Sequence, residues 1–595
     1  MDPESKNNWR HFDRLKVDRK KLNKRAKKAE KATLKHAHTF IVRRWGSIYD
    51  VRRHMLGWLF LIGLLIVLTG VQMVWFQNSY MEEASVPGGT YAEGVVGPLG
   101  TLNPLFATSN PERSATQMIF SGLFSYDRHN RVRGDLAKSW RLEDSGKKYV
   151  ITLKDDIHWQ DGKKLTSEDV VFTVNLMKNP KVNSPLYNSW KDIDALAVDE
   201  KTVVFTLPAV YSPFLNALNF GVVPKHLLKD VAPQDVRESS FSLHPIGSGP
   251  FAFRSLQNLN AQQGRSVLYL EAFDDYFKGK PKIENLQLHV YGKNSELENA
   301  LETSEINTVN ELSAAAAKRL EDRFTIADVS INHGVYAIFR TDSTILKDQK
   351  IRSAIRYGTN TEKIREAIGG NVAALQGPLL ENQVEGISSL KQPDFDSDQA
   401  NKILDQAGWK KGSDGIRKKG SQQLVINLVS LKDSDYETVA KELSKQWKKL
   451  GIKVDMRLVA PEDIQQNILR PRAYDVLLYE LAIGADPDVY AYWHSSQATQ
   501  SGLNFANYKS GIADDALLSA RARFEESLRK IKYTSFVRQW LKDTPAVALY
   551  QSTIRYGSNR EVRSLAPDAS IVSPIDRYRL VEYWTVQLEP RYKTP

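Results

Sequence analysis

Few residues of this 595-residue chain stand at the spacings that catalytic chemistry requires. Gly247-Ser248-Gly249-Pro250 sets a serine directly between two glycines, which is not the G-x-S-x-G turn that lifts a nucleophile. It predicts a tight turn leading into FAF instead. Gly292-Lys293 is followed by Asn294 and lacks the earlier spaced glycine of a phosphate-cradling loop. No H-E-x-x-H occurs; His158, His226, His244, His289, His333 and His494 are scattered and read as structural. His36 and His38 have no further ligands nearby, so no metal is expected. Asp155, Asp156 and Asp161 surround Trp159, yet Asp161-Gly162 reads as a hairpin turn rather than half of an acid–base pair. Cysteine is absent, which removes thiol catalysis, disulfides, thiolate-bound zinc and any lipid-modified cysteine. The residues predict no enzyme, no cofactor and no metal.

The elements that must position a binding site begin with an uncharged run, Met55 to Met81. Its centre, Leu56 to Phe76, holds 21 residues, and about 20 apolar residues in a helix cross a bilayer's hydrocarbon. Trp58, Trp75, Phe76 and Tyr80 sit near its ends, where aromatic rings settle at the lipid–water boundary. A cleaved signal is excluded by the long leading segment, the long apolar core and the lack of an A-x-A-like site. Residues 1–54 carry 17 Lys and Arg against six Asp and Glu, a net +11, while the whole chain nets +12. The body is therefore close to neutral, and the basic flank, with Arg43, Arg44, Arg52 and Arg53 nearest the span, places the N-terminus in the cytoplasm. Asp18 to Lys35 is rich in Lys and Ala and predicts a solvated helix. It lacks the aromatic interleaving of a nucleic-acid arm, and no nucleic-acid partner is expected.

Some 510 residues follow the span, more than the ~250–300 at which single cores divide. Strand-like runs occur at 89–96, 148–159, 202–209, 266–273, 284–291, 334–340, 423–430, 453–460 and 474–480, several alternating apolar and polar. Thr166 with Asp169 predicts a capping box opening a helix. Val439, Leu443, Trp447 and Leu450 share a helical face that stops at Gly451. Asp514 to Asp543 reads as one long helix or a kinked pair. These patterns predict an α/β globule of two or more lobes.

The run Gly122 to Met177, GLFSYDRHNRVRGDLAKSWRLEDSGKKYVITLKDDIHWQDGKKLTSEDVVFTVNLM, resembles the signature region of the peptide/nickel-type (family 5) solute-binding proteins of ABC importers. Further matches follow in the same order: LNPLF (102–106), HPIGSGPF (244–251), EAFDDYFKGKPKIENLQLHVY (271–291), IRSAIRYGTNTEKI (351–364), ILDQAGW (403–409), YDVLLYELAIGADPDVYAYWHSS (474–496) and VALYQS (547–552). Gly134 departs from the pattern, standing where Pro often precedes Leu-Ala.

The resemblance implies an α/β, two-lobed periplasmic-binding-protein-like fold (type II) preceded by one transmembrane helix. Its parts would be a basic cytoplasmic tail (1–54), the span (55–81) and an extracytoplasmic solute-binding domain (82–595). Lobe 1 would hold about 87–332 and 546–595, and lobe 2 about 333–545, with GVYAIFR and VALYQS crossing between them. Such a protein closes on its ligand about a hinge. By resemblance, Asp486 would pair with a peptide's α-amino group, Asp488 being the reserve; the competing reading of Asp486 is a helix N-cap. Gly484 and Ala485 would offer backbone groups to an extended peptide. Asn103 and Pro104 match a first-lobe loop facing the cleft. Tyr187 and Trp190 match a region of aromatic walls or else pack in the core, and Trp493 lines the cleft or packs on its own lobe. The function so implied is a monomeric, membrane-anchored receptor that passes peptides to an ABC permease. The alternatives are a nickel-chelate or oligosaccharide binder, or a surface hydrolase or structural protein on the same fold.

Overall fold

The computed structural model of the chain describes residues 19–37, 39, 45–369, 372–566 and 569–593. His38, Arg43, Arg44 and the basic residues of 1–18 lie outside them. The chain divides into two compact units, Met1–Ala84 with Glu589–Pro595, and Ser85–Leu588.

The first unit contains helix α1 (Arg19–Ala37) and helix α2 (Trp45–Tyr80). Within α2, Arg52–Phe76 is long and apolar enough to cross a membrane, and none of its side chains is buried in the protein. A core helix of a soluble protein would cover such a face; a bare one suits a hydrocarbon environment. The helix ends at Tyr80, and Met81 opens a strand (Met81–Val86) rather than ending the span.

The second unit is built on an eleven-stranded sheet. In chain order its strands are β1 (Thr90–Val96), β2 (Phe251–Asn260), β3 (Arg265–Ala272), β4 (Asn285–Tyr291), β5 (Thr308–Val309), β6 (Thr325–Phe339), β7 (Val425–Leu431), β8 (Lys453–Val459), β9 (Val476–Ala482), β10 (Ala546–Ser558) and β11 (Ser570–Ile571). The order across the sheet is β8-β7-β9-β6-β10-β5-β1-β4-β3-β2, with β11 on β6. The nine strand runs read from the sequence all contain strand. Four short strands (Ala137–Glu143, Lys148–Leu153, Asp194–Ala197, Thr202–Thr206) form a separate antiparallel sheet.

The two long strands β6 and β10 pair antiparallel and cross the molecule. Their Val335–Phe339 and Ala546–Tyr550 ends lie in apolar clusters built from residues 335–550, while one large cluster gathers residues 91–290 and 562–586. Two cores joined by continuous strands are the two lobes of this fold. Between them a small apolar cluster around Val329, Ile331, Ile554 and Tyr556 packs on the crossing strands, and the β6–β10 register is irregular between Ser330 and Gly334.

Local chemistry explains the helices that frame the site. In α3 (Asn110–Ile119) Ser109 and Glu112 form a capping box. Helix α4 (Ser167–Met177) begins as the sequence predicts, with the Thr166 N–H donating to Asp169 Oδ2 at 2.9 Å. In α5 (Ser434–Lys449) Val439, Leu443 and Trp447 are fully buried, and the chain turns at Gly451, φ +82°. The long helical pattern after 511 is a pair, α6 (Gly511–Arg521) and α7 (Glu526–Asp543). Gly247 and Gly249 let their backbone lie on the Ile119 carbonyl, where a Cβ would collide, and the Gly249 N–H donates to it at 2.8 Å. The G-S-G run is a packing seam.

Candidate functional site

The loop after β9 is pinned to the crossing strand β6. The Ile483 and Gly484 N–H groups donate to the Asn332 carbonyl at 2.9 and 3.1 Å. The Gly484 carbonyl accepts from Asn332 Nδ2 at 3.0 Å and Gln383 Nε2 at 2.8 Å. Gly484 has φ +84°, a conformation that glycine adopts without steric penalty. Its N–H and C=O, expected from the sequence to face a ligand, are both engaged here by protein groups, Asn332 and Gln383. Ala485 beside it is half-buried.

Asp486 and Asp488 each meet an arginine. Arg529 Nη2 donates to Asp486 Oδ1 at 2.5 Å and also contacts the Tyr533 hydroxyl at 3.1 Å. Arg521 Nη2 donates to Asp488 Oδ2 at 2.8 Å. Charge-assisted pairs of this kind hold geometry as well as energy. Burial pushes the Asp486 carboxyl up, against the hydrogen bond and charge of Arg529. Burial acts against the Arg529 charge too, but Asp486 outweighs it and holds the guanidinium above its ordinary range. The cap of the short turn Tyr490–Trp493 is Val489, so Asp486 does not serve as its N-cap. Asp488 Oδ1 and Arg521 Nε are buried and make no hydrogen bond to any described residue.

The first lobe reaches this cluster through aromatic rings. The Arg521 guanidinium lies 4.1 Å from the Tyr490 ring and 4.9 Å from the ring of Tyr211, a first-lobe residue. Phe524, between α6 and α7, meets Tyr149 of the first lobe at 6.5 Å. Gly146 lacks the Cβ that would strike the same Phe524 ring. Burial, then Asp576 and Asp486, raise the Tyr126 hydroxyl, which places this first-lobe tyrosine within the field of the second-lobe carboxylate. The site is therefore two Asp–Arg pairs of the second lobe, net neutral, flanked by the Tyr490 ring and met from the first lobe by Tyr211.

Other residues drawn from the sequence fall elsewhere. Asn103 is fully buried; it donates to Ser242 Oγ at 3.2 Å and accepts from the Leu105 N–H at 3.1 Å. It stiffens its loop instead of facing the cleft, and half-buried Pro104 packs near Gly221. Trp190 belongs to the first-lobe core, 5.0 Å from Phe220 and 6.0 Å from Phe214; Tyr187, on the same turn, is half-buried. Trp493 is 1 % exposed and sits 5.5 Å from Trp540 in the second-lobe core. Large rings on one-turn helices fill the interior because burial of their area outweighs any gain from lining a wet cleft. Among the described residues no cluster of metal-ligating side chains occurs.

Arg521, Arg529 and Tyr211 escaped the sequence reading. One signal for Arg529 exists: it shares a face of α7 with buried Tyr533, Phe536, Val537 and Trp540, and a cation on an apolar stripe needs a partner.

Residues 131–502 match the family described as "Bacterial extracellular solute-binding proteins, family 5 Middle". The oligopeptide-binding protein AppA of Bacillus subtilis (strain 168) is 28% identical over 490 residues, covering 80% of this chain and 88% of AppA. The structure of B. subtilis AppA in complex with a nonapeptide superposes with a TM-score of 0.69 at 25% identity, covering 84% of this chain and 100% of that one. NikZ from Campylobacter jejuni in complex with Ni(L-His) gives a TM-score of 0.70 at 26% identity, covering 83% of this chain and 99% of the other.

Proposed function

The chain belongs to the family 5 bacterial extracellular solute-binding proteins, and from that membership we propose that it captures peptides between its lobes and delivers them to an ABC permease. The similarity to an oligopeptide-binding protein over most of both chains supports a peptide ligand. The observation that carries the reading is the second-lobe cluster of Asp486, Asp488, Arg521 and Arg529. A carboxylate in a cleft of low dielectric suits an α-ammonium group, which it orients by a charge-assisted bond. Arg529 engages Oδ1 of Asp486, so the ammonium would share that carboxylate with the guanidinium. Closure bringing Tyr211 onto Arg521 would favour the ligand-bound population that the permease recognises.

In this proposal α2 is a permanent tether, with the basic tail in the cytoplasm and the solute-binding domain (82–595) outside the membrane. Lobe 1 would hold about 87–332 and the C-terminal strands, and lobe 2 about 333–545. The tether would keep receptor and permease in one two-dimensional surface and raise their effective concentration. Mass spectrometry of the denatured, purified protein tests the ligand. Copurified peptides support the reading; a nickel chelate or oligosaccharide in their place overturns it.

A further inference from the structure

The second lobe holds a cavity of about 380 Å³ lined from the segments 356–365 and 392–395, with Gln376 and Val547. No first-lobe residue lines it, and neither Asp486 nor Asp488 nor their arginines do. The residues of this lobe outside the described set, Gly370 and Asn371, are uncharged. Four charged side chains line the cavity, Arg356, Arg365, Glu362 and Asp394, two of each sign. None of the four forms an ion pair with a described residue.

Arg356, near the end of the helix Gln349–Tyr357, is 8 % exposed. Its Nε is buried and makes no hydrogen bond to a described residue. The guanidinium lies 5.0 Å from the Tyr357 ring. Burial pushes its pKa down to about 10, and Tyr357 alone acts against that shift, with no help from a carboxylate. Arg352, one turn earlier and equally buried, shows how the fold treats a structural arginine. It donates to the carbonyls of Leu346, Lys347, Asp543 and Thr544. Arg356 has no such set, and a buried cation without an anion is costly.

The helix Thr361–Ile368 opens beside it. Asn360 caps this helix by accepting from the Lys363 N–H at 2.9 Å. The N–H groups of Thr361 and Glu362, its first two residues, make no hydrogen bond to a described residue. Free N–H groups at a helix start favour a negative charge, so they add to the pull of Arg356. The opposite charge stands at the rim, where Glu362 and Asp394 are exposed. Pro393, Phe395 and Val547 supply apolar wall between them. A bare anion would meet two carboxylates, and a bare cation would leave Arg356 unsatisfied. A small zwitterion answers both, because it carries the two charges on one short body.

We infer that this cavity is a second binding site, for a free α-amino acid with an apolar side chain. Its carboxylate sits on Arg356 and the start of the helix Thr361–Ile368, and its ammonium on Glu362 and Asp394. The assignment does not depend on what the Asp486 cleft binds.

The test uses the full-length chain in detergent with L-leucine, N-acetyl-L-leucine, L-leucinamide and inorganic phosphate. Calorimetry should detect L-leucine, with each of the other three weaker by about tenfold or more, the scale of a lost charge-assisted bond. Arg356→Gln should lose about as much affinity for L-leucine. The rim variant Glu362→Gln/Asp394→Asn alters only exposed side chains, so it decides where Arg356→Gln fails to fold. It should weaken L-leucine about tenfold and leave N-acetyl-L-leucine, which has no ammonium, unchanged. Hydrogen exchange under saturating L-leucine should slow at 359–365 and 392–395 and stay unchanged at 483–490. No binding of L-leucine, equal binding of an analogue or of phosphate, an unaffected rim variant, a folded Arg356→Gln with wild-type affinity, or protection at 483–490 in place of 359–365 would each overturn the assignment.

Discussion

Asp486 and Arg529 stand carboxylate to guanidinium at 2.5 Å, joining the loop after β9 to the inward face of α7. The pair makes Asp486 both a candidate ligand group and a structural one, and the two roles separate by experiment. Asp486→Asn should weaken binding of a free-amine peptide about tenfold or more, the scale of a lost charge-assisted hydrogen bond. The same peptide with an acetylated N-terminus should change much less. Equal losses for both, measured by calorimetry, would leave Asp486 only its pairing with Arg529. Because the substitution strands a buried guanidinium, thermal stability should also fall, and Arg529→Gln in the same chain should restore part of it.

Tyr211 is the first-lobe ring beneath Arg521. Tyr211→Ala should weaken ligand binding roughly five- to tenfold, as expected for a cation–π contact partly removed from water. Tyr211→Phe keeps the ring and should stay within about twofold of wild type. Titration of both variants with one peptide checks the order.

Trp190 and Trp493 are core residues. Trp493→Ala should destabilise the protein by about 3–5 kcal/mol through the cavity it leaves, and Trp190→Ala should do likewise. Denaturant melts would show this, while affinity measured well below the melting range should hardly move. A selective loss of affinity with unchanged stability would mean that the ring touches ligand.

His289, buried on β4, gives a pH signature. Burial lowers its affinity for the proton from an ordinary 6.5 to about 4, against the charge of Glu305. The folded state thus keeps it neutral, while the unfolded chain protonates it as the pH drops. Its contribution is fully present above pH 6.5 and is lost as pH falls towards about 4. His289→Gln should flatten the decline of the urea midpoint over that interval; an unchanged slope would contradict the shift.

Leu64 lies in the middle of the apolar part of α2. Leu64→Arg should weaken membrane insertion by about 2.5–3.5 kcal/mol, read as protein released by alkaline carbonate washing of membranes. Retention equal to wild type would argue against a span at this helix.

The linear sequence determined the elements whose causes are local. Alternation placed the strands, the Thr166–Asp169 pair placed the start of α4, and the Val439–Leu443–Trp447 stripe placed α5, because each signal lies within a few residues of what it fixes. The apolar run of α2 was equally plain, since a membrane reads length and hydropathy directly. Asp486 was legible only as a carboxylate in a matching motif. Its partner Arg529 is 43 residues away, and the Asp488 partner Arg521 is 33 away. Nothing local pairs them; the return of α6 and α7 against the loop after β9 does. The same holds for Trp190, Trp493 and Asn103, whose residue types suit a cleft or a core equally. Burial decided them, and burial depends on which elements the tertiary fold stacks above each side chain, a quantity that no short window of sequence contains.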